Sequence, residues 1–250
     1  MKVLGIIPAR FASTRFPGKP LAIIGNKPLI RLVYDQASQV LDNLYVATDD
    51  RRIEEVVSGF GGRVVMTSPD HKSGTDRCAE ALKSIYRIEE SSPDIVINIQ
   101  GDEPFIKPQQ IKLLIDSFGD KEVEISTLIK EVSGIEELEN PNIPKVVIDE
   151  KGNALYFSRA VIPFIRDKSD LKIFEEYRFY RHIGIYAYRT DILKELSTLK
   201  PTALELAESL EQLRWLQKGY KIRTSVSLWD SIGIDTPADL ENAKVLLKSK

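Results

Sequence analysis

The residues best suited to chemistry crowd into one short segment, Pro8-Ala9-Arg10-Phe11-Ala12-Ser13-Thr14-Arg15-Phe16-Pro17-Gly18-Lys19. It carries three cations, two hydroxyls and a glycine. Arg10 and Arg15 can grip phosphate oxygens as planar forks, and Lys19 can reach in as a compact point charge. A triphosphate, with about four negative charges, is what such heads and backbone N–H groups hold. A solvated basic loop would have the same composition, but position favours the ligand. The segment follows Val3 to Ile7, an apolar run that reads as a buried strand, and α/β sheets bind ligands at the carboxyl ends of their strands. It is not a Walker loop, because position 13 is Ser where that pattern has Gly, and Pro20 follows Lys19.

Four further groups of residues could join it. Asn98-Ile99-Gln100-Gly101-Asp102-Glu103-Pro104 ends another apolar run. There Gly101 lets the backbone come close, Gln100 can meet a nucleotide, and Asp102 is either a metal ligand or a turn or cap residue. His71-Lys72-Ser73-Gly74-Thr75-Asp76-Arg77 precedes a helical pattern, which Ser73, Thr75 or Asp76 can cap. In the segment Arg178 to Arg189 a strand period puts His182, Gly184 and Tyr186 on one face and Ile183, Ile185 and Ala187 on the other. The isoleucine face is core, and the glycine opens the histidine face to a ligand. Asp235 stands before the last helical pattern and could cap it.

The elements that must position these groups follow from hydrophobic period. Strand patterns at Val3 to Ile7, Leu44 to Ala47, Arg63 to Met66 and Ile95 to Ile99 alternate with helix patterns at Pro28 to Val40, Arg51 to Val57, Gly74 to Ile88 and Pro108 to Phe118. Asp49 or Asp50 can cap the second helix. Such alternation predicts an α/β fold, a Rossmann-like, mostly parallel sheet with helices on both faces. Short strand patterns at Glu124 to Ile129, Lys145 to Ile148, Ala154 to Phe157 and His182 to Tyr188 add a smaller antiparallel insertion at about residues 124–190. One helix is expected from Ala203 to Lys218, with Leu206, Leu210, Leu213 and Leu216 on its apolar stripe. A strand from Lys221 to Val226 and a helix from Pro237 to Lys248 close the chain. The 250 residues suit a single domain.

Composition narrows the classes. With 42% hydrophobic and 29% charged residues the chain is globular. A formal net charge of -2 gives no basic surplus for nucleic acid. One cysteine, Cys78, excludes an intramolecular disulfide and a zinc–thiolate cluster. No leader and no run of membrane length is evident, so the expectation is a cytoplasmic protein without stable membrane association.

From end to end the chain resembles the cytidylyltransferases that make CMP-sugar acids, and within them the 3-deoxy-manno-octulosonate (Kdo) cytidylyltransferase family. Seven motifs occur in order: IIPARFASTRFPGKPL, HKSGTDR, NIQGDEP, SRAVIPF, YRHIGIYAYR, ESLEQLR and GIDTPADLE. The resemblance implies a nucleotidyltransferase that joins CTP to Kdo, gives CMP-Kdo and pyrophosphate for lipopolysaccharide synthesis, uses Mg²⁺ and works as a homodimer. It implies that Ala9, Arg10, Ser13 and Lys19 meet the nucleotide, with Arg10, Arg15, Lys19 and Asp102 catalytic. Ser73, Thr75, Arg77 and Gln100 would face cytosine and its ribose. Arg159, His182, Tyr186 and Gln212 would take the sugar acid, and Asp102 and Asp235 would share Mg²⁺. Rival readings are another nucleotidyltransferase with a different sugar or nucleotide, and a nucleotide-binding regulator without catalysis.

Overall fold

The computed structural model describes residues 1–12, 16–166, 174 and 177–248, so Ser13 and Arg15 lie outside the described residues. The chain folds as two compact units. The first comprises Met1–Lys112, Arg189–Ser197 and Asp230–Lys250, and the second Leu113–Tyr188 and Thr198–Trp229. The antiparallel strands expected as an insertion fall in the second unit, which also takes in residues 198–229.

In the first unit β1 (Val3–Ala9), β2 (Leu44–Thr48), β3 (Arg63–Met66) and β4 (Ile95–Asn98) pair in parallel in the order β4-β1-β2-β3. Leu4, Ile6, Ile7, Val46, Ile95 and Ile97 have no exposed surface, as near-continuous apolar runs in a covered parallel sheet require. The intervening helices are α1 (Leu29–Ala37), α2 (Arg51–Gly59) and α3 (Gly74–Glu89). From β1 the chain winds out through β2 and β3, then returns to the other side of β1 for β4. Strand order therefore reverses between β1 and β4, and the crevice at their carboxyl ends is where such a sheet takes ligands.

Local chemistry fixes the helix starts. Asp50 caps α2 by accepting from the Arg52 N–H at 2.9 Å, which leaves Asp49 for another partner. Ser73 caps α3 by accepting from the Asp76 N–H at 3.1 Å. A 3-10 turn at Lys19–Leu21, a two-residue hairpin of Ile23–Ile24 with Lys27–Pro28, and a helix at Thr190–Leu196 were not evident from sequence period. Among the described residues no helix is long and apolar enough to cross a membrane.

In the second unit β5 (Ile125–Glu131), β6 (Lys145–Ile148), β7 (Ala154–Ser158), β8 (Tyr180–Arg189) and β9 (Ile222–Val226) pair in the order β9-β5-β8-β6-β7. All pairs are antiparallel except β9 with β5. β8 pairs Ile183 with Leu128 and then Tyr186 with Thr127, so Gly184 and Ile185 bulge from the ladder. A two-residue bulge preserves side-chain parity, which keeps His182 and Tyr186 on one face.

The single helix expected from Ala203 to Lys218 is two, α4 (Ala203–Glu208) and α5 (Gln212–Gln217). Ser209 between them is left-handed, with φ 52°. The cause is tertiary. Arg159 donates its Nε–H to the Glu208 carbonyl at 2.7 Å and an Nη2–H to the Ser209 carbonyl at 3.4 Å, groups a continuous helix would pair internally. Leu206, expected on the apolar stripe, is 69% exposed, whereas Leu210 and Leu213 are buried.

Candidate active site

A cavity of about 300 Å³ opens in the first unit at the carboxyl ends of β1 and β4. Ala9, Arg10, Lys19, Ser73, Arg77, Gln100, Asp102 and Asp235 all line it. The fold thus gathers onto one wall most of the residues expected to hold nucleotide and metal.

The cation loop is closed at its neck. The Phe11 carbonyl accepts from the Gly18 N–H at 2.9 Å, and the Arg52 guanidinium carbon lies 3.3 Å from the Phe11 ring centroid. Gly18 has φ 71° and lies so close that a Cβ would stand 3.1 Å from Phe11 Cζ. Arg10 and Lys19 therefore stand at the two feet of the loop. Opposite them, a Cβ on Gly101 would lie 2.7 Å from the Pro8 carbonyl oxygen, so only glycine lets the Asp102 turn come this close to the end of β1. The Ile234 N–H donates to the Asp102 carbonyl at 2.9 Å, tying the Asp235 segment to the same turn.

These ties put one cation between two carboxylates. Lys19 Nζ is 2.7 Å from Asp102 Oδ2 and 3.1 Å from Asp235 Oδ1. The capping alternative for Asp235 gives way to other groups. Thr236 Oγ1 accepts from the Asp239 N–H at 3.2 Å, while Asp239 Oδ2 accepts from the Asp235 and Thr236 N–H groups at 3.1 and 2.8 Å. Burial would raise the Asp239 pKa, but the Thr236 hydroxyl and these N–H groups bring it below the ordinary value.

Arg10 is exposed and has no hydrogen-bond or ion-pair partner among the described residues. Arg77, by contrast, is 3% exposed, pairs with Asp49 at 2.8 Å and donates to Thr67 Oγ1 at 2.6 Å. It braces the wall it lines. Thr75, expected beside the nucleotide, is buried in the first turn of α3 and is not on the wall. His71 and Lys72, which sequence reasoning passed over, do line the cavity, and His71 Nε2 contacts the Glu80 carboxylate. Their place in the same loop as Ser73 was the available signal.

The residues expected to take the sugar acid lie in the second unit. The His182 ring packs edge-on against Phe157, with centroids 5.1 Å apart, and beside Tyr186 at 5.3 Å. Burial, and then the like charge of Arg181, lowers its pKa to about 3, so it is neutral near pH 7. Tyr186 is 7% exposed and its hydroxyl faces Thr127. Burial, then the Glu211 carboxylate, raises its pKa well above the ordinary value. Trp215 of α5 packs on Tyr186 at 5.0 Å between centroids. The same helix carries Gln212, buried and with no partner for Nε2 among the described residues. Buried polar atoms without partners are rare in folded proteins. Arg159 is engaged with backbone carbonyls, including that of Pro141 at 3.0 Å.

A family model described as Cytidylyltransferase matches residues 4–222. The chain belongs to the cytidylyltransferase family. It is 54% identical to the 3-deoxy-manno-octulosonate cytidylyltransferase of Phocaeicola vulgatus, across 100% of this chain and 99% of that protein. It is equally 54% identical to the protein of the same name from Bacteroides thetaiotaomicron, with 100% of both chains covered. Its fold matches a solved structure of CMP:2-keto-3-deoxy-manno-octonic acid synthetase complexed with CTP, with a TM-score of 0.89 and 42% identity over 100% of this chain and 99% of that one. The mixed α/β architecture expected from sequence is that of this family.

Proposed function

We propose that this cytidylyltransferase transfers CMP from CTP to the anomeric hydroxyl of Kdo, giving CMP-Kdo and pyrophosphate. The observation that carries the reading is Lys19 seated between Asp102 and Asp235 in a cavity that Arg10 also lines. The relatives' names and the CTP complex of the matching structure support the choice of substrates.

The anomeric oxygen attacks the α-phosphorus in line. A new P–O bond forms as the bond to pyrophosphate breaks and the hydroxyl proton passes to solvent, and no covalent enzyme intermediate is needed. Arg10, Arg15 and Lys19 hold the charge that gathers on the leaving pyrophosphate. Ser73, Arg77 and Gln100 face the nucleoside. Arg159, His182, Tyr186 and Gln212 orient the sugar acid, and His182, being neutral, acts there as a hydrogen-bond partner and not as a charge. Orientation of this kind is worth ~7–11 kcal/mol of barrier.

Asp102 and Asp235 fit Mg²⁺. Their oxygens already reach a single cation, the Lys19 ammonium, and Mg²⁺ is bound by one or two carboxylates with phosphate oxygens and water completing the set. When bound, Mg²⁺ supplies charge neutralisation at the phosphates. The chain works as a homodimer in the cytoplasm and supplies lipopolysaccharide synthesis. The exposed Leu155, Phe164, Leu206 and Leu228 of the second unit offer apolar surface for a second copy. The test of the activity is mass spectrometry on the purified chain incubated with CTP, Kdo and Mg²⁺. CMP-Kdo is the expected product, and unchanged Kdo would overturn the reading.

A further inference from the structure

We propose that Thr127 is a positioning residue that fixes the His182 ring as its Nε2–H tautomer, leaving Nδ1 as an acceptor for a sugar hydroxyl. The proposal deepens the reading of His182 as a sugar-acid contact and rests on it. Thr127 has no exposed surface, and its Oγ1 sits inside the β8 bulge. Oγ1 lies 2.8 Å from the Ile185 carbonyl oxygen, 3.2 Å from that of Ile183 and 2.9 Å from His182 Nε2. A hydroxyl has one proton, and a carbonyl oxygen can only accept. The Thr127 proton is therefore committed to the bulge carbonyls, since turning it toward Nε2 would leave bare oxygens facing each other. The oxygen that remains can only accept, so Nε2 must carry the hydrogen.

A neutral imidazole with Nε2–H has its lone pair on Nδ1. Nδ1 has no partner among the described residues. His182 is only half-buried, and a Cβ added at Gly184 on the same face would meet nothing within 4 Å. The bulge thus shapes chemistry as well as backbone: it turns two carbonyls onto one threonine, and the threonine sets which nitrogen can accept a hydrogen bond.

The experiment is ¹⁵N NMR of the imidazoles together with kinetics on Thr127→Val, Thr127→Ser and His182→Ala. The chain has two histidines, so loss of one set in His182→Ala assigns the other to His71. The expected result is protonated Nε2 and bare Nδ1 at neutral pH in the wild type. Thr127→Val should mix the tautomers and raise the KM for Kdo roughly five- to tenfold, the worth of about one hydrogen bond, with the KM for CTP unmoved. Thr127→Ser should restore both spectrum and KM. A wild-type ring protonated on Nδ1, or a Thr127→Val ring with an unaltered tautomer, would overturn the role of Thr127 alone. An unaltered KM for Kdo in His182→Ala would overturn the sugar-acid reading and the proposal with it, while the spectrum would still report the tautomer.

Discussion

Lys19, Asp102 and Asp235 come from three distant turns and meet within hydrogen-bonding distance. Two carboxylates side by side repel, and the ammonium between them offsets that repulsion. The cap of the last helix is made by Thr236 and Asp239, so Asp235 is not needed there, and Asp102 lies well before the helix that starts at Pro108. Asp102→Asn and Asp235→Asn should therefore leave thermal melts nearly unmoved and lower kcat by about 10²-fold or more, as removal of a transition-state charge contact does. Pyrophosphate release across a Mg²⁺ titration reads this, and near-wild-type turnover at saturating Mg²⁺ in both variants would remove the metal role. At this scale the sequence was legible where chemistry is local. Arg10 and Lys19 declare themselves by type and by place after a buried strand. Asp235 was linked to Asp102 through resemblance only, because nothing local says which turn the fold lays beside it. The engagement of Arg77 with Asp49 was illegible for the same reason.

Between residue and domain, the site depends on two backbone approaches. The Gly101 turn touches the end of β1, where a methyl group would meet the Pro8 carbonyl oxygen at 2.7 Å. Gly101→Ala should cost about 1–3 kcal/mol, typical of overpacking, and lower CTP affinity by displacing Asp102. Urea melts and CTP titration check both effects, and unaltered values would mean the turn can relax freely. Ser209, left-handed between α4 and α5, calls for the opposite change. Ser209→Gly should stabilise by roughly 0.5–1 kcal/mol, because glycine adopts φ above zero without strain, and a destabilised variant would contradict that account of the helix break. The strands of the parallel sheet were readable because burial on both faces makes them continuous apolar runs. The break at Ser209 was not, since it depends on the Arg159 fork reaching in from another strand end. The β8 bulge was also hidden: alternation predicts a face, not a register.

For the molecule as a whole, the chain forms two compact units. The first carries the cavity with the cations and carboxylates, and the second carries the aromatic cluster around His182. Burying a neutral histidine links stability to pH. His182 titrates at about 3 in the folded chain, against about 6.5 unfolded. Between those values the unfolded chain holds a proton that the folded chain lacks, so stability falls as pH falls, by up to about 1.4 kcal/mol per pH unit. Wild type should lose more melting temperature between about pH 7 and pH 5 than His182→Gln does. Equal losses would mean that the ring is free to ionise in place. The two-substrate character of the enzyme is tested most directly by pyrophosphate release from CTP and Mg²⁺, measured with Kdo present and with Kdo withheld. The account predicts release that is stoichiometric with Kdo consumed and nearly absent without it. Release at the same rate in both reactions, or in neither, would contradict transfer of CMP to the sugar acid.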